Sequence, residues 1–206
     1  MIRAVLTGDI VNSTKLRAAI EKKLVKVLHA VMAAHQFEFY RGDSFQVLIK
    51  EPSAALRVAL LCRTAAISIS KSNEVNLSDI RISIGLGAVK LPVTTLGAGK
   101  GQAFVLSGRA FDELSKNDTR LAISTGNNLA GTALQIIADY LNAIFKMMTG
   151  KQAEVIFELL KEQTQQDVAK LLKRSKSTIH QHVAAGRWAE IEKLLQHYQS
   201  IVNQLA

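Results

Sequence analysis

Over the first 125 residues, short β-branched apolar runs alternate with helix-length amphipathic ones in the order β-α-β-β-α-β-α-β. Few folds accept that order. "IRAVLTGD" reads as a buried strand ended by Gly. Ser13 or Thr14 is placed to cap the helix that follows, whose Leu16, Ile20, Leu24, Val27, Leu28 and Val31 recur at three-and-four spacing. "FEFY" and "SFQVLIK" flank "RGD" and predict a β-hairpin over 37–50. Pro52 and Ser53 open a second helix from about Ala54 to Ile69. "DIRISIGLGAVK" alternates at Ile80, Ile82 and Ile84 as a strand does, "LPVTTLGAGKG" is a loop, "QAFVLSGRAFDELS" a third helix and "TRLAIST" a last strand. The expected fold is α+β and ferredoxin-like, with helices on one face of a mostly antiparallel sheet.

From Asn127 onward the period is helical throughout. The expected division is a ferredoxin-like domain at 1–126, a connecting helix at 127–149, and an all-α helix-turn-helix domain at 150–206, with helices near 151–161, 164–172, 176–185 and 188–205. Charged residues cut the longest apolar runs, as Arg57 and Arg63 do in "RVALLCRTAAISIS", so no membrane span of about 20 residues is expected. The N-terminus enters a strand at once, without a basic-then-apolar leader. A single cysteine, Cys62, excludes an internal disulfide, fits a reducing cytoplasm, and reads as a buried thiol from its apolar neighbours. The net charge of +9 favours a polyanionic partner such as nucleic acid or a nucleotide.

Two apolar runs end on Gly-Asp, at Asp9 and Asp43. In a ferredoxin-like sheet the end of the first strand lies beside the hairpin, which brings the two carboxylates together. Such a pair repels unless a proton or cation lies between. Hard oxygens suit Mg²⁺ or Mn²⁺, usually shared with a phosphate. The plainer reading makes both Gly-Asp pairs ordinary turns.

The motifs carry a resemblance. "TGDIVNST" and "RGDSF" resemble the metal-binding segments of class III nucleotidyl cyclases. "RISIGLGAV" and "GQAFVLSGRAF" resemble the later strand and helix of that family. "LTGDIVNSTKL", "GDSFQVLI", "IRISIGLGAV" and "AFVLSGRAFDEL" follow, in order, the pattern of the bacterial SatD family. The resemblance implies metal ligation by Asp9 and Asp43, and Arg109 keeps its place in the family's helix motif; Arg41, Lys100 and Arg109 are the cations expected near the phosphates of a bound nucleotide. The resemblance also implies a site shared between protomers. The chain departs from cyclases at the base-reading positions, where Phe39 and Ala98 stand, and at Val105, where an Asn is usual. No catalytic residue is therefore assigned.

"TQQDVAKLLKRSKSTIHQHVAAGRW" resembles a helix-turn-helix. Thr164 caps the first helix, with Asp167 reaching back, and Ser175 caps the second. Val168, Ala169, Leu172, Ile179 and Val183 point inward. Arg174, Lys176, Ser177, His180 and Gln181 are left for double-stranded DNA, with Lys173 in a left-handed turn usually occupied by Gly. The plainer reading is a helical hairpin for docking. His180 and His182 stand two apart, which does not suit helical metal ligation, and read as surface residues. The last helix repeats apolar residues at Trp188, Ile191, Leu195, Tyr198, Val202 and Leu205, either a dimer seam or a face packed on the preceding pair. The leading expectation is a cytoplasmic, homodimeric, DNA-binding transcriptional regulator whose first domain binds a nucleotide or divalent metal. The alternative is an enzyme of nucleotidyl transfer with an accessory nucleic-acid module.

Overall fold

The computed structural model describes residues 2–40, 42–69 and 78–205. Strand β1 (Ile2–Ile10) leads through a short 3₁₀ turn at Ser13–Lys15 into helix α1 (Ala18–Met32). The hairpin follows as β2 (Gln36–Tyr40) and β3 (Ser44–Ile49), then α2 (Ala55–Ser68), β4 (Ile80–Ala88), α3 (Gln102–Lys116) and β5 (Leu121–Thr125). Five further helices complete the chain: α4 (Asn128–Lys146), α5 (Gly150–Leu160), α6 (Gln165–Leu171), α7 (Lys176–Ala185) and α8 (Trp188–Asn203). The sheet order is β2-β3-β1-β4-β5. The β1–β3, β1–β4 and β2–β3 pairs are antiparallel, and β5 is parallel to β4. This is the expected α+β, ferredoxin-like order, with the expected last strand running parallel to β4.

Alternation within the strands sorts their side chains onto two faces. Ala4, Leu6, Ile10, Val47, Ile49, Ile80, Ile82, Ile84, Leu121 and Ile123 join one buried cluster with Leu24, Leu28 and Met32 of α1 and with α2. Val5, Leu48, Leu96 and Ala103 form a second, small cluster on the opposite face. Helix α3 therefore packs on the other side of the sheet from α1 and α2, which corrects the expectation of helices on one face. Glycine makes the approach possible: a Cβ on Gly85 would fall on the Ala103 carbonyl and within 2.5 Å of Ser107 N. Ser83 Oγ, beside it, donates 2.8 Å to the Ser107 carbonyl.

The main cluster does not stop at residue 126. It continues through Leu134, Leu141 and Phe145 of α4, Val155 and Ile156 of α5, Val168, Ile179, Ile191 and Val202. Helix α2, with Cys62 fully buried in it, lies between the sheet and α5. Burial pushes the Cys62 thiol up to about 12. The apolar seam of α8 is spent inside the chain: Ile191, Leu195, Tyr198 and Val202 are buried, and Tyr198 Oη donates 2.9 Å to the Pro52 carbonyl. Of the two readings of that seam, packing within the chain is the one observed.

Arg63 explains how a charge sits inside α2. It is 1% exposed and donates to both Asp79 carboxylate oxygens at 3.1 and 2.7 Å, and to Asn142 Oδ1 at 3.2 Å. Its guanidinium also lies 4.5 Å from the Phe145 ring centroid. Every element it touches is thereby tied together. No helix among the described residues is long and apolar enough to cross a membrane.

Candidate nucleotide and metal site

The two Gly-Asp pairs have different local causes. At Gly42 the chain turns with φ 88°, a conformation glycine adopts without strain. At Gly8 the Phe45 ring comes so close that a Cβ would lie 2.6 Å from it. Both place their aspartates at one end of the sheet. Asp9 is paired across the ladder with Ser44, the neighbour of Asp43, and Ile10 N donates 3.1 Å to the Asp43 carbonyl.

Strand register also sets Arg81 opposite Asp9 and Arg120 beside Arg81. The Arg81 Nε lies 3.5 Å from Asp9 Oδ1, too long for a good hydrogen bond. Asp9 Oδ1 and Arg81 Nε are accordingly both buried without a hydrogen-bond partner. Burial raises the Asp9 carboxyl above its ordinary value of 3.8, Arg81 opposes the rise, Asp43 adds to it, and Arg120 opposes it weakly. Asp43 is held by Ser13 Oγ at 2.8 Å and more loosely by Ser44 Oγ at 3.4 Å. Ser13 thus does not cap α1, whose N-cap is Arg17 and which has no side-chain cap.

Asp9 shares its face with Thr7, Ser44, Gln46, Glu38 and Tyr40, a half-buried polar strip that α3 leaves open. Thr7 Oγ1 takes a 2.7 Å bond from Ser107, and Gln46 Oε1 is buried without a partner. A shallow cavity of about 240 Å³ between Ser13, Thr14, Glu21, Gly42 and Asp43 adjoins the strip. The residues present fit a hard divalent cation: two carboxylates from adjacent elements, one with an unpartnered oxygen. Arg81 is the resident competitor. No cluster of three or more His, Cys, Asp or Glu suited to a metal occurs among the described residues.

The other expected phosphate ligands are not gathered here. Arg41 lies outside the described residues. Lys100 is exposed beside Lys90, whose N–H bonds to the Lys100 carbonyl, past the far end of β4. Arg81 and Ala88 lie seven strand steps apart, about 24 Å, so Lys100 cannot reach Asp9 of its own chain. Arg109 is exposed on α3, two residues beyond the inward-facing Ser107 and therefore turned away from the sheet. Phe39 faces α1, stacked on His29 with centroids 4.8 Å apart, and not the polar strip.

The helix pair at the C-terminus has its expected parts. Thr164 Oγ1 accepts from Asp167 N at 3.2 Å, and Ser175 Oγ from Thr178 N at 3.1 Å. Asp167 does not reach back to the backbone; it takes the Thr164 hydroxyl instead, at 2.6 Å. Lys173 adopts φ 53°, the left-handed turn, and Arg174 N closes it on the Ala169 carbonyl at 3.0 Å. Val168, Ala169, Ile179 and Val183 are buried; Lys176, Ser177, His180 and Gln181 are exposed. Arg174 is not free. It is bound to Glu154 of α5 at 2.7 Å.

Fold and site together define a ferredoxin-like sheet domain with a carboxylate pair at the strand ends, continued into a helical C-terminal part. No protein-family model and no curated protein sequence matches the chain. Solved structures that it is similar to include nucleotidyl cyclases. A bacterial light-regulated adenylyl cyclase shares 18% identity over 60% of this chain and 75% of that one, with TM-score 0.43. The active GGEEF domain of a diguanylate cyclase from Vibrio cholerae shares 12% over 62% and 85%, with TM-score 0.41. The catalytic core of a rhodopsin-guanylyl cyclase with converted specificity, in complex with ATPalphaS, shares 15% over 54% and 71%, with TM-score 0.36.

Proposed function

We propose that this chain binds a nucleotide through Mg²⁺ or Mn²⁺ held by Asp9 and Asp43. The observation that carries the reading is the buried, unpartnered Oδ1 of Asp9 beside the hairpin that bears Asp43. When bound, the cation neutralises both carboxylates and offers open positions to phosphate oxygens. Asp9 and Asp43 fix its place, Ser13 orients the Asp43 carboxylate, and the polar strip of Thr7, Ser44 and Gln46 receives the rest of the ligand. Arg81 is poised to turn from Asp9 to a phosphate, since its Nε has no partner. The order of the motifs supports placing the chain with SatD-family proteins. Phe39, Ala98 and Val105 leave no polar side chain at the positions where cyclases read the base or hold the reacting group. The role proposed is binding; nucleotidyl transfer is the competing outcome.

Thermal denaturation and calorimetric titration with Mg²⁺ or Mn²⁺, with and without nucleoside triphosphates, test this. The wild type is expected to gain stability in metal plus nucleotide. Asp9→Asn and Asp43→Asn each lose that gain. Pyrophosphate or cyclic-nucleotide release would move the assignment to an enzyme. No shift with millimolar metal and nucleotide in either assay refutes the site.

A second reading concerns DNA. It rests on the left-handed Lys173 turn between two capped helices, which leaves Lys176, Ser177, His180 and Gln181 exposed along one helix. We propose that α7 enters the major groove of double-stranded DNA and that ligand binding at the sheet biases it, in a cytoplasmic regulator.

A further inference from the structure

Helix α4 has two apolar faces, and only one is used. Leu134, Ile137, Ala138, Leu141, Ile144 and Phe145 are buried in the core. On the outer side stand Leu129, Ala133, Ile136, Tyr140, Ala143 and Met147, with Leu129 84%, Ile136 63%, Tyr140 40% and Met147 80% exposed. Their spacing is 4, 3, 4, 3 and 4 residues, a heptad seam along the whole helix. They account for four of the seven large apolar side chains exposed among the described residues.

The order of sizes along this seam is large, small, large, large, small, large. It reads alike from either end, about position 138. A two-fold axis through that point sets Leu129 against Met147, Ala133 against Ala143 and Ile136 against Tyr140 of a second helix running the other way. A two-fold axis sets residue i against j and j against i, and here each pair brings together side chains of like size. The two alanine layers let the helices approach closely, and the large layers fill the space between.

We infer that α4 is a self-association surface, where a second copy of this chain docks antiparallel about position 138. The flank carries one charge of each sign, Asp139 and Lys146. The axis brings the two Asp139 carboxylates toward the same flank, each already bonded by Gln135 at 2.8 Å, which keeps the association modest. Arg187, at the turn into α8, lies over the Tyr140 ring at 5.1 Å and bonds its hydroxyl. The α7–α8 turns of both copies therefore come to the edge of this interface. The inference is independent of any ligand at Asp9 and Asp43.

Sedimentation velocity of the full chain tests it. At high micromolar concentration the wild type is expected at twice the 22.5 kDa chain mass, falling to one chain on dilution. Ile136→Glu, at an exposed site that tolerates charge in the monomer, is expected to stay at one chain mass with an unchanged melting temperature. Direction is read by mild oxidation. Ala133→Cys with Ala143→Cys in one chain is expected to give a covalent dimer, and Ala133→Cys alone is not, because the two copies of position 133 lie about 15 Å apart along an antiparallel pair. Cys62 is fully buried and takes no part. A wild type that stays monomeric, a dimer that survives Ile136→Glu, or cross-linking by Ala133→Cys alone overturns the proposal.

Discussion

Asp9 is a carboxylate held where it is poorly solvated. Its raised pKa means that the folded chain holds the proton more tightly than the unfolded chain does. The protonated form therefore favours folding below the ordinary value of 3.8, and that advantage is lost as pH rises through the folded value. At neutral pH, without metal, the charged group costs stability. Asp9→Asn is expected to raise the melting temperature there, by about 2–4 °C for each kcal/mol recovered. Asn still offers Arg81 an oxygen. The same variant should lose the gain in stability that protonation of Asp9 gives as pH falls through its folded value, so its acid loss is steeper than that of the wild type. Differential scanning calorimetry in chelator over a pH series measures both, and an Asp9→Asn protein less stable than the wild type at neutral pH contradicts the argument. The sequence alone brought Asp9 and Asp43 together, because the strand order requires it. It did not show Arg81, whose place opposite Asp9 is a matter of register between strands some 70 residues apart in the chain. Motif order likewise named Lys100 as a residue type but not its end of the sheet; nine residues of β4 carry the chain away from Asp9.

At the scale of elements, local chemistry was the most legible. Thr164 and Ser175 cap their helices as expected, and α7 spans Lys176–Ala185 as expected; Thr149, which caps α5, is a further cap of the same kind. The side of the sheet that α3 takes was less so. Its signal was present in "GLG": Gly85 and Gly87 both lie where a Cβ would strike α3, at Ser107 and Gln102. A strand glycine reads equally as a bulge or an approach, and only the partner decides. Arg174 shows the same limit, since the turn placed it outward while Glu154, twenty residues earlier, holds it against α5. Helix α7 now carries a sharper expectation for DNA. Lys176→Ala should weaken specific and random duplexes alike and lower the salt slope by about one unit. Gln181→Ala should cost about 1–3 kcal/mol on the preferred site alone. Arg174→Ala should act on the melting temperature instead. Fluorescence anisotropy against a site selected from random duplexes reads all three, and selection that enriches nothing removes the DNA reading.

At the scale of the molecule, the expected segments 1–126, 127–149 and 150–206 follow one another along the chain, yet a single apolar cluster runs from Ala4 to Val202. Two bonds span the same distance: Tyr198 Oη to the Pro52 carbonyl at 2.9 Å and Arg57 Nη1 to the Leu160 carbonyl at 2.9 Å. Helical periodicity could not show this. It gives the width of an apolar face but not what that face covers, and α4 and α5 cover the sheet and α2. A shared core predicts one cooperative transition, with calorimetric and van't Hoff enthalpies equal. Cys62 turns that expectation into a clock. The chain has a single sulfhydryl, and it sits at the centre of the shared core with its proton held tightly. A disulfide reagent such as Ellman's can react only in the instants when α2 has left its neighbours. The rate of colour release, followed across denaturant, therefore reports how often the molecule opens and how much surface each opening uncovers. One slope across the whole denaturant range means that both ends of the chain open together. A shallow early slope at low denaturant means that the C-terminal helices lift away by themselves.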